Sequence, residues 1–143
     1  MLKNLINFNL VSTEPNATLF EVAQLMKQHN VGSVVVIENQ RPIGIITDRD
    51  IVVRCIADQV QLKDWAIRDV MTRSPRTVKE TDGLFDCIQV MRDGEFRRLP
   101  VVNAQGRCVG IISFGDILAV LSKEFSTLTE ATTSARELGK SAA

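Results

Sequence analysis

Apolar residues recur along this chain in two rhythms. Leu19, Val22, Ala23 and Met26 fall at i, i+3, i+4 and i+7, the spacing that places them on one face of a helix. Leu84, Cys87, Ile88 and Met91 repeat that spacing further on. Thr18 with Glu21 forms a capping-box start for the first helix, and Gly83 with Asp86 a weaker counterpart for the other. Beyond each helix the rhythm shortens. VVVI (Val34 to Ile37) and IGII (Ile43 to Ile46), like LPVV (Leu99 to Val102) and VGII (Val109 to Ile112), are β-branched runs flanking a turn. They predict hairpins buried on at least one face. A second helix is expected from about Asp50 and from about Asp116, so the order strand, helix, strand, strand, helix occurs twice.

The two copies align residue by residue. A shift of 65 positions lays TLFEVAQLM, from Thr18, on GLFDCIQVM, from Gly83. One extra residue, Gly106, changes the shift to 66 and lays RPIGIITDRDI, from Arg41, on RCVGIISFGDI, from Arg107. The insertion falls between two apolar runs, where a turn absorbs a glycine at little cost. Upstream, LKNLI (Leu2 to Ile6) lies over IRDVM (Ile67 to Met71). The reading is therefore a duplication, with a first repeat over residues 1–60, a second over 61–124 and a tail over 125–143. The tail is rich in Ser, Thr and Ala with little apolar periodicity, which predicts a frayed helix or disorder.

Composition narrows the function classes. In 143 residues, 45% are hydrophobic and 24% charged, enough for a compact core. Seventeen basic residues balance seventeen acidic ones, so no overall field favours nucleic acid or an anionic membrane. Any anion site must be local. Cys55, Cys87 and Cys108 are odd in number and far apart, which argues against a disulfide framework or a zinc site and for a reducing cytoplasm. The start MLKNLINFNL lacks the pattern of an export signal, and no segment is apolar for long enough to span a bilayer.

The duplicated motifs resemble paired CBS (cystathionine-β-synthase-type) domains. Members of that family carry an IxDVM-type lead, a TLxEAxxxM-type helix and a closing G-h-h-[ST]-x-x-D, with h apolar. Here the closing motifs read GIITDRD, from Gly44, and GIISFGD, from Gly110. The resemblance covers about residues 1–122. It implies an α+β fold of two β-α-β-β-α repeats related by a pseudo-twofold axis, their sheets packed face to face, in a module that often forms dimers. It also implies a regulatory ligand of the AMP, ADP, ATP, S-adenosylmethionine or NAD type, with no cofactor required.

Thr47 with Asp50, and Ser113 with Asp116, stand where a strand ends and a helix begins. A carboxylate there can accept both hydroxyls of a cis-diol, while the hydroxyl and the free helix amides can donate to a phosphate. The family uses this Asp for ribose, which extends that role to Asp50 and Asp116 and the phosphate side to Thr47 and Ser113. The same pairs also read as plain capping boxes. Many family members place a basic residue where Arg97 and Arg98 precede LPVV, and a guanidinium fork suits phosphate; a solvated surface pair is the other reading. Gly32 and Ser33 stand opposite these arginines in the first copy, so if both clefts bind they cannot bind alike. Candidate adenine walls are Val31, Gly32, Phe96, Ile43 and Val109, with hydroxyl contacts from Thr13 and Thr77. These are also core positions. His29, the only histidine, reads as a surface residue at a helix C-terminus.

No HExxH, GxSxG or P-loop pattern and no Cys/His pair offers a catalytic centre, so the expected protein is not an enzyme and binds no catalytic metal. The expected function is a sensor of an adenosyl ligand, a homodimer acting on an effector protein in trans. The alternative is a ligand-free dimerisation module working through protein partners.

Overall fold

The computed structural model describes the backbone of residues 2–141 and the side chains of residues 2–134. The first repeat runs β1 (Ser12–Thr13), α1 (Leu19–His29), β2 (Ser33–Glu38), β3 (Arg41–Thr47) and α2 (Asp48–Asp50), which passes directly into a π-helical segment, Ile51–Ile56. A short strand, β4 (Thr72–Arg73), leads into the second repeat: β5 (Val78–Lys79), α3 (Leu84–Gly94), β6 (Arg98–Val102), β7 (Cys108–Ser113) and α4 (Phe114–Ser141). The strands form two sheets, ordered β1-β2-β3-β4 and β5-β6-β7. In each, a parallel entry strand flanks an antiparallel hairpin. The hairpins even share an irregularity, a register shift between Val36 and Ile37 and between Val101 and Val102, the same place in both copies.

Local chemistry explains the helix boundaries. The Thr18 hydroxyl accepts the Glu21 amide at 3.2 Å, and the Glu21 carboxylate accepts the Thr18 amide at 2.7 Å. Gly83 has no side chain to cap with, so only the return bond from its amide to Asp86 exists, at 3.1 Å. Both helices stop at a left-handed residue, Asn30 and Glu95. Leu19, Val22 and Met26, and on α3 Cys87 and Met91, form the buried faces that the periodicity predicts.

The repeats exchange their leads. Ile67, Val70 and Met71, which open the second copy, are buried in the core of the first with Leu19, Val22 and Ile46. Leu2, Leu5 and Ile6, which open the first, are buried in the core of the second with Val78, Cys87 and Ile112. The strand pairings agree: Thr72 pairs with Ile45 on β3, and Asn7 bridges Ile111 on β7. The boundary expected between residues 60 and 61 divides the sequence copies, but each hydrophobic core draws on both sides of it.

Beyond the cores, α4 takes in the tail for which the sequence predicts a frayed helix or disorder, its last two residues lying outside the described ones. The tail continues as helix to Ser141. The hydroxyls of Ser126, Thr127, Thr129, Thr132 and Thr133 each donate to the carbonyl four residues back, which satisfies them without leaving the helix. Missing apolar periodicity signals the absence of a packing partner; it does not by itself forbid a helix. Among the described residues, no helix is long and apolar enough to cross a membrane.

Candidate functional site

Each hairpin opens at the end where its closing strand turns into a helix. Gly32 accepts the Asp48 amide at 3.1 Å, and Arg97 accepts the Phe114 amide at 2.8 Å, so both helix starts are clamped to the strand before them. Register then sets the neighbours. Thr47 lies opposite Ser33, whereas Ser113 lies opposite Arg98. The Thr47 amide donates to Asp50 Oδ2 at 3.0 Å, and the Asp50 amide to the Thr47 hydroxyl at 3.1 Å. Ser113 and Asp116 repeat both bonds, at 3.0 and 3.2 Å. The capping-box reading is thus correct for both motifs. It leaves ligand contacts open, because an ionised carboxylate has about four acceptor sites and capping uses only some.

Between the helix starts lies a cavity of about 770 Å³, within the range of small-molecule sites. Of the residues singled out from the sequence, Thr47, Asp50, Phe96, Arg97, Arg98 and Ser113 line it. Asp116 does not; it is exposed on α4. Val31 and Ile43 pack against the first core, and Val109 against the second. Thr13 lines a separate open groove with Glu14, Asn16 and Gln24, and Thr77 is exposed before β5. Gly32 is not in the lining but stands next to two residues that are, Asp48 and Arg98. A Cβ there would stand 3.1 Å from Asp48 Oδ2 and 3.2 Å from Arg98 Nη2. The glycine that replaces arginine in the first copy therefore makes room for the arginine of the second.

Among the lining residues that the sequence had not singled out are three arginines, Arg49, Arg54 and Arg76. Arg49 sits inside GIITDRD and was within reach of motif reading, but Arg76 falls opposite Val11 and carries no repeat signal. With Arg97 and Arg98 they make five arginines against Asp48, Asp50 and Glu95, a local charge of +2 on a chain of net charge 0. Ile45 and Leu99 supply apolar wall beside the Phe96 ring. A cavity with cationic forks, an ordered carboxylate and a half-buried aromatic suits an anionic ligand that also carries hydroxyls and a flat apolar part.

Comparison with known proteins agrees with the duplication. The CBS domain family model matches residues 2–56 and again 67–123. A CBS domain-containing protein of Bacillus subtilis, YhcV, is 36% identical over 116 residues, covering 81% of each chain. An uncharacterised protein of Methanopyrus kandleri is 34% identical over 85% of this chain, and one of Acidianus ambivalens 38% over 76%. The chain spans only 63% and 65% of those two relatives. A CBS domain protein of Pyrobaculum aerophilum, solved in complex with AMP, is 31% identical with a TM-score of 0.74, over 80% of this chain and 87% of that one. A CBS domain pair crystallised with 5′-methylthioadenosine and S-adenosylmethionine shares the fold at a TM-score of 0.78 and 23% identity, over 87% and 97% of the chains. Two matches to one family model, laid on two repeats with one architecture, lead to a single conclusion: the chain belongs to the CBS domain family, as a tandem pair.

Proposed function

We propose that this CBS pair is a non-catalytic regulatory module that binds an adenine nucleotide in the cavity between its repeats and senses the energy state of a cytoplasm. The observation that carries the reading is the convergence of Thr47 and Asp50 from one repeat with Arg97, Arg98 and Ser113 from the other on a single cavity. Asp50 takes the ribose hydroxyls, the arginines and Ser113 the phosphate, and Phe96 with Ile45 and Leu99 the base. The AMP complex of the 31% identical Pyrobaculum aerophilum protein supports the ligand class. Asp116, outside the lining, serves as a second ribose carboxylate only for a ligand on the exposed side of α4.

The test is calorimetry or a melting screen across AMP, ADP, ATP, S-adenosylmethionine and NADH. A ligand that binds the native state alone raises the melting temperature. No stabilisation by any of the five, with the protein folded, removes the reading. Incubation with ATP should release no ADP, AMP or phosphate; turnover makes the chain an enzyme.

A second reading, a ligand-free dimerisation module, is favoured by one specific feature. Val52, Val53 and Ile56 on the π-helical segment are 55%, 51% and 57% exposed, and Leu118 on α4 is 47% exposed. Isologous contact is the commonest way to cover such residues, so a homodimer is expected on either reading. Light scattering that gives a monomer at micromolar concentration excludes it. Regulation then acts in trans, on an effector protein that recognises the liganded dimer.

A further inference from the structure

Asp50 and Asp116 fill the same place in the two copies, but only Asp50 has its second oxygen engaged. Arg54, four residues on, reaches Asp50 Oδ1 at 3.2 Å. The same guanidinium donates through Nη1 to the Val70 carbonyl at 3.0 Å and through Nη2 to the Thr72 hydroxyl at 3.1 Å. Val70 belongs to the exchanged lead and is buried in the first core, and Thr72 begins β4. Arg54 is thus anchored to a backbone carbonyl and a hydroxyl from outside its own helix as well as to the carboxylate. In the second copy its place falls to Val120, which has no polar group to offer, and Asp116 is held only by its cap.

We infer that Arg54 is the positioning residue that makes Asp50 a reader of the ribose cis-diol, and that this reading is confined to the first repeat. The inference rests on the proposal that a nucleotide occupies the cavity. Its physical content is pre-organisation. The Asp50 carboxylate is held at both oxygens, Oδ2 by the Thr47 amide and Oδ1 by Arg54, which fixes the plane of the group about its last torsion. Two of about four acceptor sites are then taken, and the remaining two lie in one plane, the arrangement that two neighbouring hydroxyls require. A carboxylate free to rotate loses that freedom only when the ligand arrives and binds it more weakly for the same contacts. Arg54 and Thr72 also line the cavity, so the supporting contact stands beside the ligand.

The readout is the ratio of affinities for AMP and 2′-deoxy-AMP, measured by calorimetry on the full chain. The wild type should prefer AMP on the order of 10-fold, as expected for a hydrogen bond to a charged acceptor. Arg54→Gln should weaken both ligands through the lost charge but AMP by more, reducing the preference to about twofold, Arg54→Lys should restore the charge and part of the preference, and Asp116→Ala should leave the preference intact. Equal losses of AMP and deoxy-AMP in Arg54→Gln make Arg54 merely structural and overturn the inference, as does a ratio that collapses in Asp116→Ala. If the wild type binds both ligands equally, the nucleotide reading survives and the ribose role falls. If it binds neither, both fall.

Discussion

Gly44 faces Met71 so closely that a Cβ on the glycine would stand 2.1 Å from the methionine sulfur. In the other repeat a Cβ on Gly110 would stand 2.6 Å from Ile6 Cγ2 and 2.7 Å from the Asn7 carbonyl oxygen. Both glycines open the shared G-I-I motif, and both face the lead donated by the opposite repeat. Their role is packing. Gly44→Ala and Gly110→Ala should each destabilise the fold, by about 1–3 kcal/mol as for overpacked cores. Gly110→Ala should cost more, because the flexible Met71 side chain can move aside and the Asn7 backbone cannot. Urea melts of the two variants check the order; a Gly44→Ala variant less stable than Gly110→Ala would contradict it.

Exchange of the leads predicts that neither repeat folds alone. A fragment of residues 1–60 keeps Leu2, Leu5 and Ile6, which belong to the other core, and lacks Ile67, Val70 and Met71, which close its own. It should show no cooperative thermal transition by circular dichroism. Adding residues 61–73 and removing 1–7 should restore more stability than the number of residues gained would suggest, since buried apolar area decides the outcome.

Phe20 and Phe85 are equivalent in sequence but 42% and 81% exposed. The segment that follows the first repeat covers Phe20: its amide donates to the Leu62 carbonyl at 3.0 Å, and Lys63 Nζ lies 5.6 Å from the ring centroid. Phe20→Ala should therefore cost about 1–2 kcal/mol, from partial burial and a cation–π contact. Phe85→Ala should stay within about 0.5 kcal/mol, as for surface changes. Paired denaturation curves decide between this asymmetry and equal effects.

The arginines should distinguish ligands by phosphate. AMP should bind more tightly than adenosine, and Arg97→Ala with Arg98→Ala should remove most of that advantage while leaving adenosine nearly unchanged. The advantage should shrink as salt rises, because the exposed part of the charge interaction is screened over about 10 Å at 0.1 M. Titrations of both ligands at two salt concentrations test this; equal losses for AMP and adenosine would assign the arginines to structure alone.

Buried thiols should be inert. Burial pushes the Cys87 thiol up to about 11 and raises those of Cys55 and Cys108 as well. Since the thiolate is the nucleophile, a thiol reagent at pH 8 should modify the buried Cys55 and Cys87 only slowly in the folded protein and rapidly in denaturant, with the half-buried Cys108 reacting ahead of them. For Cys87 the linkage sign is fixed. Its pKa is higher folded than unfolded, so the associated stability is complete below the unfolded value of about 8.5 and is lost as pH rises towards 11. Rapid modification of Cys87 in the native state would contradict its burial.

How much of this was legible from residues alone follows from the range of each interaction. The duplication, the α1 and α3 faces, the hairpins and the caps at Thr18, Thr47 and Ser113 are written in spacings of two to seven residues, and local backbone geometry enforces them. A strand end followed by a helix start is itself a local feature, which singled out Thr47 and Asp50; Arg97 and Arg98 were singled out through the resemblance to the family, and the structure brings all four to one cavity. The sequence also marked Val31, Ile43 and Val109 as apolar and left open whether they face a ligand or a core; packing assigned them to the cores. Periodicity reports that a residue is buried, never against which copy, so the exchange of Leu2–Ile6 for Ile67–Met71 belonged to the tertiary structure. So did the grip of Arg54 on Asp50 through Val70 and Thr72, and the arrival of Arg76 at the cavity. The Arg54–Asp50 pair itself spans four residues, but the bonds that hold Arg54 to Val70 and Thr72 join residues 16 and 18 apart, and those partners are selected only when the lead of the second repeat closes on the first.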